Sequence, residues 1–154
     1  LFDAYFLEAI VNQLATPYKP RIRSAFDACW SFLENKDRGG EELYALLDDG
    51  TDDGGIFIYM QLDENEANIP SWDNISYAIG STAKEAYSFE NKAALSSPLE
   101  NIDGSLLEIF IENLKEINFN FYDHVQDIKD FLARGKSPSK KEALNELKRI
   151  GLLQ

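Results

Sequence analysis

Residues 71–87 read SWDNISYAIGSTAKEAY and have the pattern of a long, centrally placed helix. Their large apolar side chains recur at three- and four-residue steps, which is the spacing of one helix face. Ser71 stands where a hydroxyl can cap the first turn. Four small residues leave space for neighbouring helices to come close, namely Ala78, Gly80, Ala83 and Ala86. We therefore expect this helix to lie at the centre of the fold.

Further apolar stripes of helical period flank this segment on both sides. The first one stops before Pro17, and a second covers residues 20–35. Cys29 and Trp30 lie on the apolar face of that second stripe, which assigns both to the core. A last stripe occupies the carboxyl end, over residues 139–150. All of these stripes indicate amphipathic helices.

Two pairs of residues have the form of a capping box, in which a serine hydroxyl and a glutamate three residues later satisfy free backbone groups. Ser105 with Glu108 and Ser139 with Glu142 have this spacing. No linker or internal repeat divides the chain. The sequence therefore predicts an all-α fold, a single compact domain over residues 1–154 with about six or seven helices.

Two segments could be strand or helix. Residues 56–62 are rich in β-branched and aromatic side chains and follow two glycines, which fits a buried strand, but a short core helix has the same apolar content. We favour a helix there, with a short strand-like segment as the alternative. Residues 117–122 alternate like a strand, and helical steps then resume. A break near residues 118–120 would reconcile the two patterns.

Size and charge narrow the possible functions. The chain has 154 residues, enough for one core, and its 15 Lys and Arg against 27 Asp and Glu give a net charge of −12. This charge argues against direct binding of nucleic acid or of an anionic membrane, and favours a basic protein partner. A single cysteine and no apolar run of about 18 residues argue against a disulfide scaffold and a membrane span. We expect a cytoplasmic protein.

Residues that could carry chemistry form weak patterns. His124 is the only histidine and has no glycine-framed serine to activate, so a surface position is expected. The acidic loop at residues 48–55 resembles a calcium loop, but Thr51 occupies a position that usually carries Asp or Asn. Met60 occupies the position at which a Glu binds the ion with both carboxylate oxygens. A solvated turn is the better interpretation. We predict no catalytic residue, no metal ligand and no cofactor.

Two pairs of acids keep an enzymatic alternative open. Glu100 with Asp103 and Asp127 with Asp130 are spaced one helical turn apart, as in all-α magnesium-dependent hydrolases that use paired carboxylates. Because Glu100 and Asp103 precede a predicted helix, loop and cap roles suit them better. A non-catalytic helical regulatory module is a further alternative.

Charge is distributed unevenly along the chain. Residues 41–73, hereafter the acidic segment, contain ten acids and no Lys or Arg, whereas residues 134–149 contain six bases and two acids. We expect the two regions to compensate each other partly. The acidic segment predicts either a hydrated face or a docking surface for a cationic protein with aromatic anchors. The candidate interface residues are Asp48, Asp49, Asp52, Asp53, Tyr59, Asp63, Glu64, Glu66, Trp72, Asp73 and Tyr77.

Four features between about residues 20 and 115 occur together. They are Ala28-Cys29-Trp30, Gly40-Glu41-Glu42-Leu43-Tyr44, Trp72 with Ala78, and Ser97-Pro98-Leu99-Glu100. In this combination the chain resembles an all-α immunity-protein family of bacterial polymorphic toxin systems, which include contact-dependent growth inhibition. The resemblance implies a non-enzymatic cytoplasmic toxin inhibitor that binds a cognate toxin and covers its active site. A nuclease with a basic groove would suit an acidic inhibitor.

Overall fold

The computed structural model describes residues 1–51, 54–91, 97–135 and 137–154, and every regular element within them is helical. The all-α prediction is confirmed, although several helices are only four or five residues long and the total exceeds six or seven. The helices are α1 (Phe2–Gln13), α2 (Lys19–Asn35), α3 (Gly40–Tyr44), α4 (Ile56–Leu62), α5 (Ile69–Phe89), α6 (Ser97–Glu100), α7 (Gly104–Ile117), α8 (Phe119–Asp123), α9 (Val125–Ala133) and α10 (Lys140–Arg149), with one turn of 3₁₀ helix (Glu66–Asn68) before α5.

The central position of α5 is confirmed. It contacts α1, α2, α3, α4, α6 and α7, and Ile75, Ala78 and Ile79 along it are fully buried. Gly80 shows why small residues are needed, because a Cβ atom there would lie 2.7 Å from Ile102 Cδ1. Small side chains on α5 thus allow several neighbours to pack on one helix at close range.

The amino end of α5 differs from the prediction. The helix begins at Ile69, preceded by Asn68, and Pro70 occupies its first turn, where a missing N–H removes no helical hydrogen bond. Ser71 is therefore buried inside the first turn, and its predicted role as the cap is wrong.

For one of the two predicted capping boxes, the serine half is confirmed. Ser139 caps α10, where its Oγ accepts a hydrogen bond from Glu142 N at 3.2 Å. At α7 the cap is Asp103 rather than Ser105, since the Asp103 carboxylate accepts from Ser105 N at 2.9 Å. A carboxylate two residues earlier competes successfully with the serine hydroxyl for the free N–H groups.

Both ambiguous segments are helical. Residues 56–62 form α4, as favoured, and the Ile56 and Phe57 N–H groups donate to the carbonyls of Leu46 and Leu47 at 2.9 and 3.0 Å. The second segment breaks at Asn118, which ends α7 and caps α8 by accepting from Asn120 N at 3.0 Å. The predicted break near residues 118–120 is therefore confirmed.

The two ends of the chain pack together. All residues of α1 from Asp3 to Val11 are buried, and α1 contacts α2, α5, α9 and α10. Lys140 at the start of α10 lies 3.5 Å from Glu8 of α1 and 2.6 Å from Asp27 of α2. Arg149 pairs with Glu146 inside α10. For these bases, the expectation that the carboxyl end compensates the acidic segment is wrong, because their partners are on α1, α2 and α10.

The first glycine of α3 provides a test of this packing. A Cβ atom on Gly40 would lie 2.5 Å from ring atoms of Tyr87 on α5, so Gly40→Ala should overpack the α3–α5 contact. We expect the free energy of unfolding, measured with urea, to fall by about 1–3 kcal/mol. Gly104→Ala is the control, because a Cβ there meets nothing within 4 Å. Equal losses in the two variants would contradict the close packing.

Candidate protein-binding surface

The acidic segment runs through α3, α4, the 3₁₀ turn and the first turns of α5. Asp52 and Asp53 lie outside the described residues. Of the remaining eight acids, Asp63 is partly buried and seven are exposed, namely Glu41, Glu42, Asp48, Asp49, Glu64, Glu66 and Asp73. Most of the negative charge of the segment is therefore in contact with solvent.

Very little of this charge is neutralised by the protein itself. Within the described part of the segment, the only carboxylate that meets a basic side chain is Glu42, 2.6 Å from Arg38 Nη1. Asp49 instead accepts hydrogen bonds from Thr51 Oγ1 at 2.6 Å and Thr51 N at 2.9 Å, which lower the pKa of its carboxyl. The remaining exposed carboxylates are not paired with a base in the described part of the chain, and the electrostatic potential around them decays over a Debye length of about 10 Å at 0.1 M salt.

Asp63 has an internal role. Its Oδ2 accepts from Trp72 Nε1 and from Asn68 Nδ2, both at 2.8 Å, and its Oδ1 accepts from Asn65 N at 2.9 Å. Desolvation acts to raise the pKa of this carboxyl, but the three hydrogen bonds outweigh it and hold the pKa below its ordinary value. These hydrogen bonds of Asp63 stabilise the turn between α4 and α5.

The three aromatic candidates are not equally accessible. Trp72 is 2% exposed and donates to Asp63, and Tyr59 is 6% exposed. The Tyr59 hydroxyl accepts from Arg21 Nη1 at 2.7 Å, and its ring stacks on Tyr18 with centroids 4.7 Å apart. Tyr77 is half-buried and contributes to the wall of a groove. Of the three, it is the ring that a partner can approach most directly.

This groove lies between α4, α5 and the α6–α7 region and has a volume of about 330 Å³. Its walls are mainly apolar and include Phe57, Met60, Tyr77, Ile102, Ile109 and Phe110. Sequence reasoning missed it, although α7 carried a signal. In the sequence of α7, helical steps place Leu107, Phe110, Ile111, Leu114 and Ile117 on one apolar face, which accounts for Phe110. Leu106 and Ile109 are apolar as well and lie outside that face. An apolar surplus of this kind indicates a second apolar face.

Asp73 stands at the edge of the groove. It is exposed, and it has no hydrogen-bond or ion-pair partner among the described residues. Desolvation by its surroundings raises the pKa of its carboxyl. Asp73 and Tyr77 are thus candidate residues that the structure brings to one site, because both line the same groove and lie one turn apart on α5.

Four of the residues considered for catalysis have local hydrogen-bond partners. His124 Nδ1 lies 2.7 Å from Asp127 Oδ2, Asp130 accepts from Gln126, and Asp103 caps α7. Cys29 is buried, and desolvation raises the pKa of its thiol to about 12. Among the described residues, no three His, Cys, Asp or Glu side chains are grouped so that they could hold a metal ion.

In the same part of the chain, no helix is long and apolar enough to cross a membrane.

The Asp63 hydrogen bonds predict a pH-dependent contribution to stability. We expect Asp63→Asn to lower the free energy of unfolding at pH 7 by about 1–2 kcal/mol, because the amide cannot accept all three bonds. A carboxyl whose pKa is lowered by folding stabilises the protein above its unfolded pKa of about 4. That contribution disappears as the pH falls through the folded pKa. Urea titrations at pH 7 and below pH 4 should show the difference between variant and parent shrinking.

The neighbouring acid supplies the matched control. Glu64 is exposed and has no partner among the residues that the structure describes, so Glu64→Gln should change the free energy of unfolding little at any pH. A difference for Asp63→Asn that stays constant with pH would argue against the carboxylate as the source.

Comparison with known proteins gives one match. The family model described as immunity protein Imm6 matches residues 3–117, which is most of the chain. The chain therefore belongs to the Imm6 family and is a toxin immunity protein. No curated protein and no solved structure matches it. The resemblance drawn from the sequence to an immunity-protein family is confirmed.

Proposed function

We propose that this member of the Imm6 family neutralises its cognate toxin by binding it one to one and covering its active site, without catalysing a reaction itself. The observation that carries the proposal is the acidic segment, whose exposed carboxylates, Glu42 aside, meet no basic side chain within the described residues. Acids without internal partners are free to pair with cations of another protein. They also attract such a protein over a Debye length before contact.

The negative charge of the acidic segment supports a toxin with a basic surface, and nucleases are toxins of this kind. An enzyme that acts on a polyanion needs a basic substrate groove, and an acidic protein surface can occupy that groove in place of the nucleic acid. This interpretation places the encounter in the cytoplasm, where a nuclease toxin meets its substrate. It requires no metal or cofactor on the immunity protein.

Within the proposed interface the candidate residues divide by position. Exposed acids such as Asp48, Glu64 and Glu66 would steer the toxin and pair with its cations at the rim. Asp63 and Trp72, which bond to each other, would hold α4 and α5 in position. Tyr59 would act in the same way through Arg21 and Tyr18. Asp52 and Asp53 remain rim candidates from the sequence alone.

Neutralisation can be tested in cells. We expect the domain encoded by the neighbouring reading frame to stop growth when it is expressed alone, and co-expression of this chain to restore growth. The two proteins should purify together at a mass that corresponds to one copy of each. A harmless neighbouring domain, or one that does not bind this chain, would overturn the proposal.

Electrostatic steering can be tested by charge reversal. We expect Glu64→Lys combined with Glu66→Lys to lower the association rate constant with the same domain by about tenfold at low salt and to flatten its salt dependence, because long-range attraction is lost. Stopped-flow fluorescence measures both quantities. Asp123→Lys combined with Asp130→Lys changes the net charge equally on α8 and α9 and should reduce the rate much less. Equal slowing in both variants would indicate an effect of net charge rather than of the acidic segment.

A further inference from the structure

The groove between α4, α5 and the α6–α7 region has few polar groups left to offer a ligand. Asn74 Nδ2 donates to Phe110 O at 3.1 Å, and Asn113 Nδ2 donates to Asn74 Oδ1 at 3.0 Å. Ser76 Oγ contacts Met60 Sδ at 3.7 Å. These amides and the hydroxyl are thus engaged within the protein. A small polar molecule, which needs several converging polar groups to fix its orientation, would find little to bind.

The groove does offer apolar surface that is open to solvent. Ile109 lines it and is 53% exposed, so a large aliphatic side chain stands at its edge in contact with water. Ile69, one turn before Asp73 on α5, is exposed as well and extends the same helix face. A volume of about 330 Å³ has room for one or two large side chains of a partner.

The chain segments that form the walls of the groove carry charges of one sign. The described segments 40–51, 54–80 and 97–113, which supply its walls, contain acids and no Lys or Arg. Asp73 at the edge has no hydrogen-bond or ion-pair partner in the described part of the chain. One cation lies beside the groove, namely Lys84 on α5, whose Nζ donates to the carbonyl oxygen of the groove residue Ile102 at 2.6 Å. The groove therefore suits a partner segment that combines apolar side chains, which would contact its walls, with a cation, which would pair with Asp73.

We propose that the groove receives an apolar segment of the cognate toxin, with a Lys or Arg beside it that pairs with Asp73. This inference rests on the proposed function and adds to it a specific place of contact. The acids at residues 41–66 would then accelerate the encounter, whereas the groove would hold the complex together. Such a division is common, since exposed charges act mainly on association and desolvated contacts act mainly on dissociation.

The apolar contact is tested with a pair of exposed side chains. We expect Ile109→Lys to raise the Kd for the domain encoded by the neighbouring reading frame at least about tenfold, because it puts a charge into the apolar contact. Phe119→Lys is the matched control, since Phe119 on α8 is 63% exposed and does not line the groove. It should change the Kd by no more than about twofold. Calorimetric titration measures both values.

The charge contact is tested separately. Asp73→Asn removes the carboxylate charge and keeps the shape, so we expect the Kd to rise about tenfold, since a toxin cation is left without its partner. Asp130→Asn on α9 is the control and should leave the Kd within about twofold. A Kd unchanged by Asp73→Asn would overturn the pairing with a Lys or Arg.

Hydrogen exchange gives a measurement that does not depend on variants. Binding of the toxin domain should slow amide exchange along α4, the first half of α5 and α7, which form the groove. Unchanged exchange in these helices, or an unchanged Kd for Ile109→Lys, would overturn the groove as the contact while leaving the proposed function intact. Failure of the parent chain to bind the domain would overturn the proposed function as well.

A second copy of the chain is the competing occupant. Light scattering of the chain alone should report a monomer for the parent and for Ile109→Lys. A parent dimer that Ile109→Lys converts into monomers would overturn the proposal, because the groove would then bind another copy of this chain.

Discussion

Close packing around α5 is the constraint on which the rest of the structure depends. A helix that contacts six others can keep them all near only where its side chains are short, and Ala78, Gly80, Ala83 and Ala86 meet that requirement. Their burial lets α1 and α2 pack against α5 and lets the α6–α7 region approach it elsewhere. The groove lies beside this same helix, so the scaffold and the proposed contact share one rigid element.

Much of the fold could be predicted from the sequence because apolar periodicity reports burial directly. The central helix, the core positions of Cys29 and Trp30 and the break at Asn118 all follow from it. Helix starts were harder, because a carboxylate and a hydroxyl compete for the same N–H groups and only geometry decides between them. Asp103 displaced Ser105 in this way, and Pro70 allowed α5 to begin before Ser71.

The candidate site was less predictable than the fold, for a physical reason. Charge adds up along a sequence, so the acidic segment was visible at once, but hydrogen bonding depends on positions in space. Nothing in the sequence shows that Asp63 accepts a hydrogen bond from Trp72, whereas Asp73 has no partner among the residues that the structure describes. A groove between helices from different parts of the chain is likewise a property of packing. Only the surplus of apolar residues on α7 pointed to it.

The burial of α1 has a consequence for how the chain folds during its synthesis. Residues from Asp3 to Val11 are buried on all sides, and part of their cover is α10, where Ala143 and Leu147 are buried and Lys140 reaches Glu8. Because α1 leaves the ribosome before α10, part of its apolar surface stays uncovered until α10 has been made. Until α10 emerges, the nascent chain exposes part of its future core, and exposed apolar surface of this kind makes incompletely folded chains prone to aggregation.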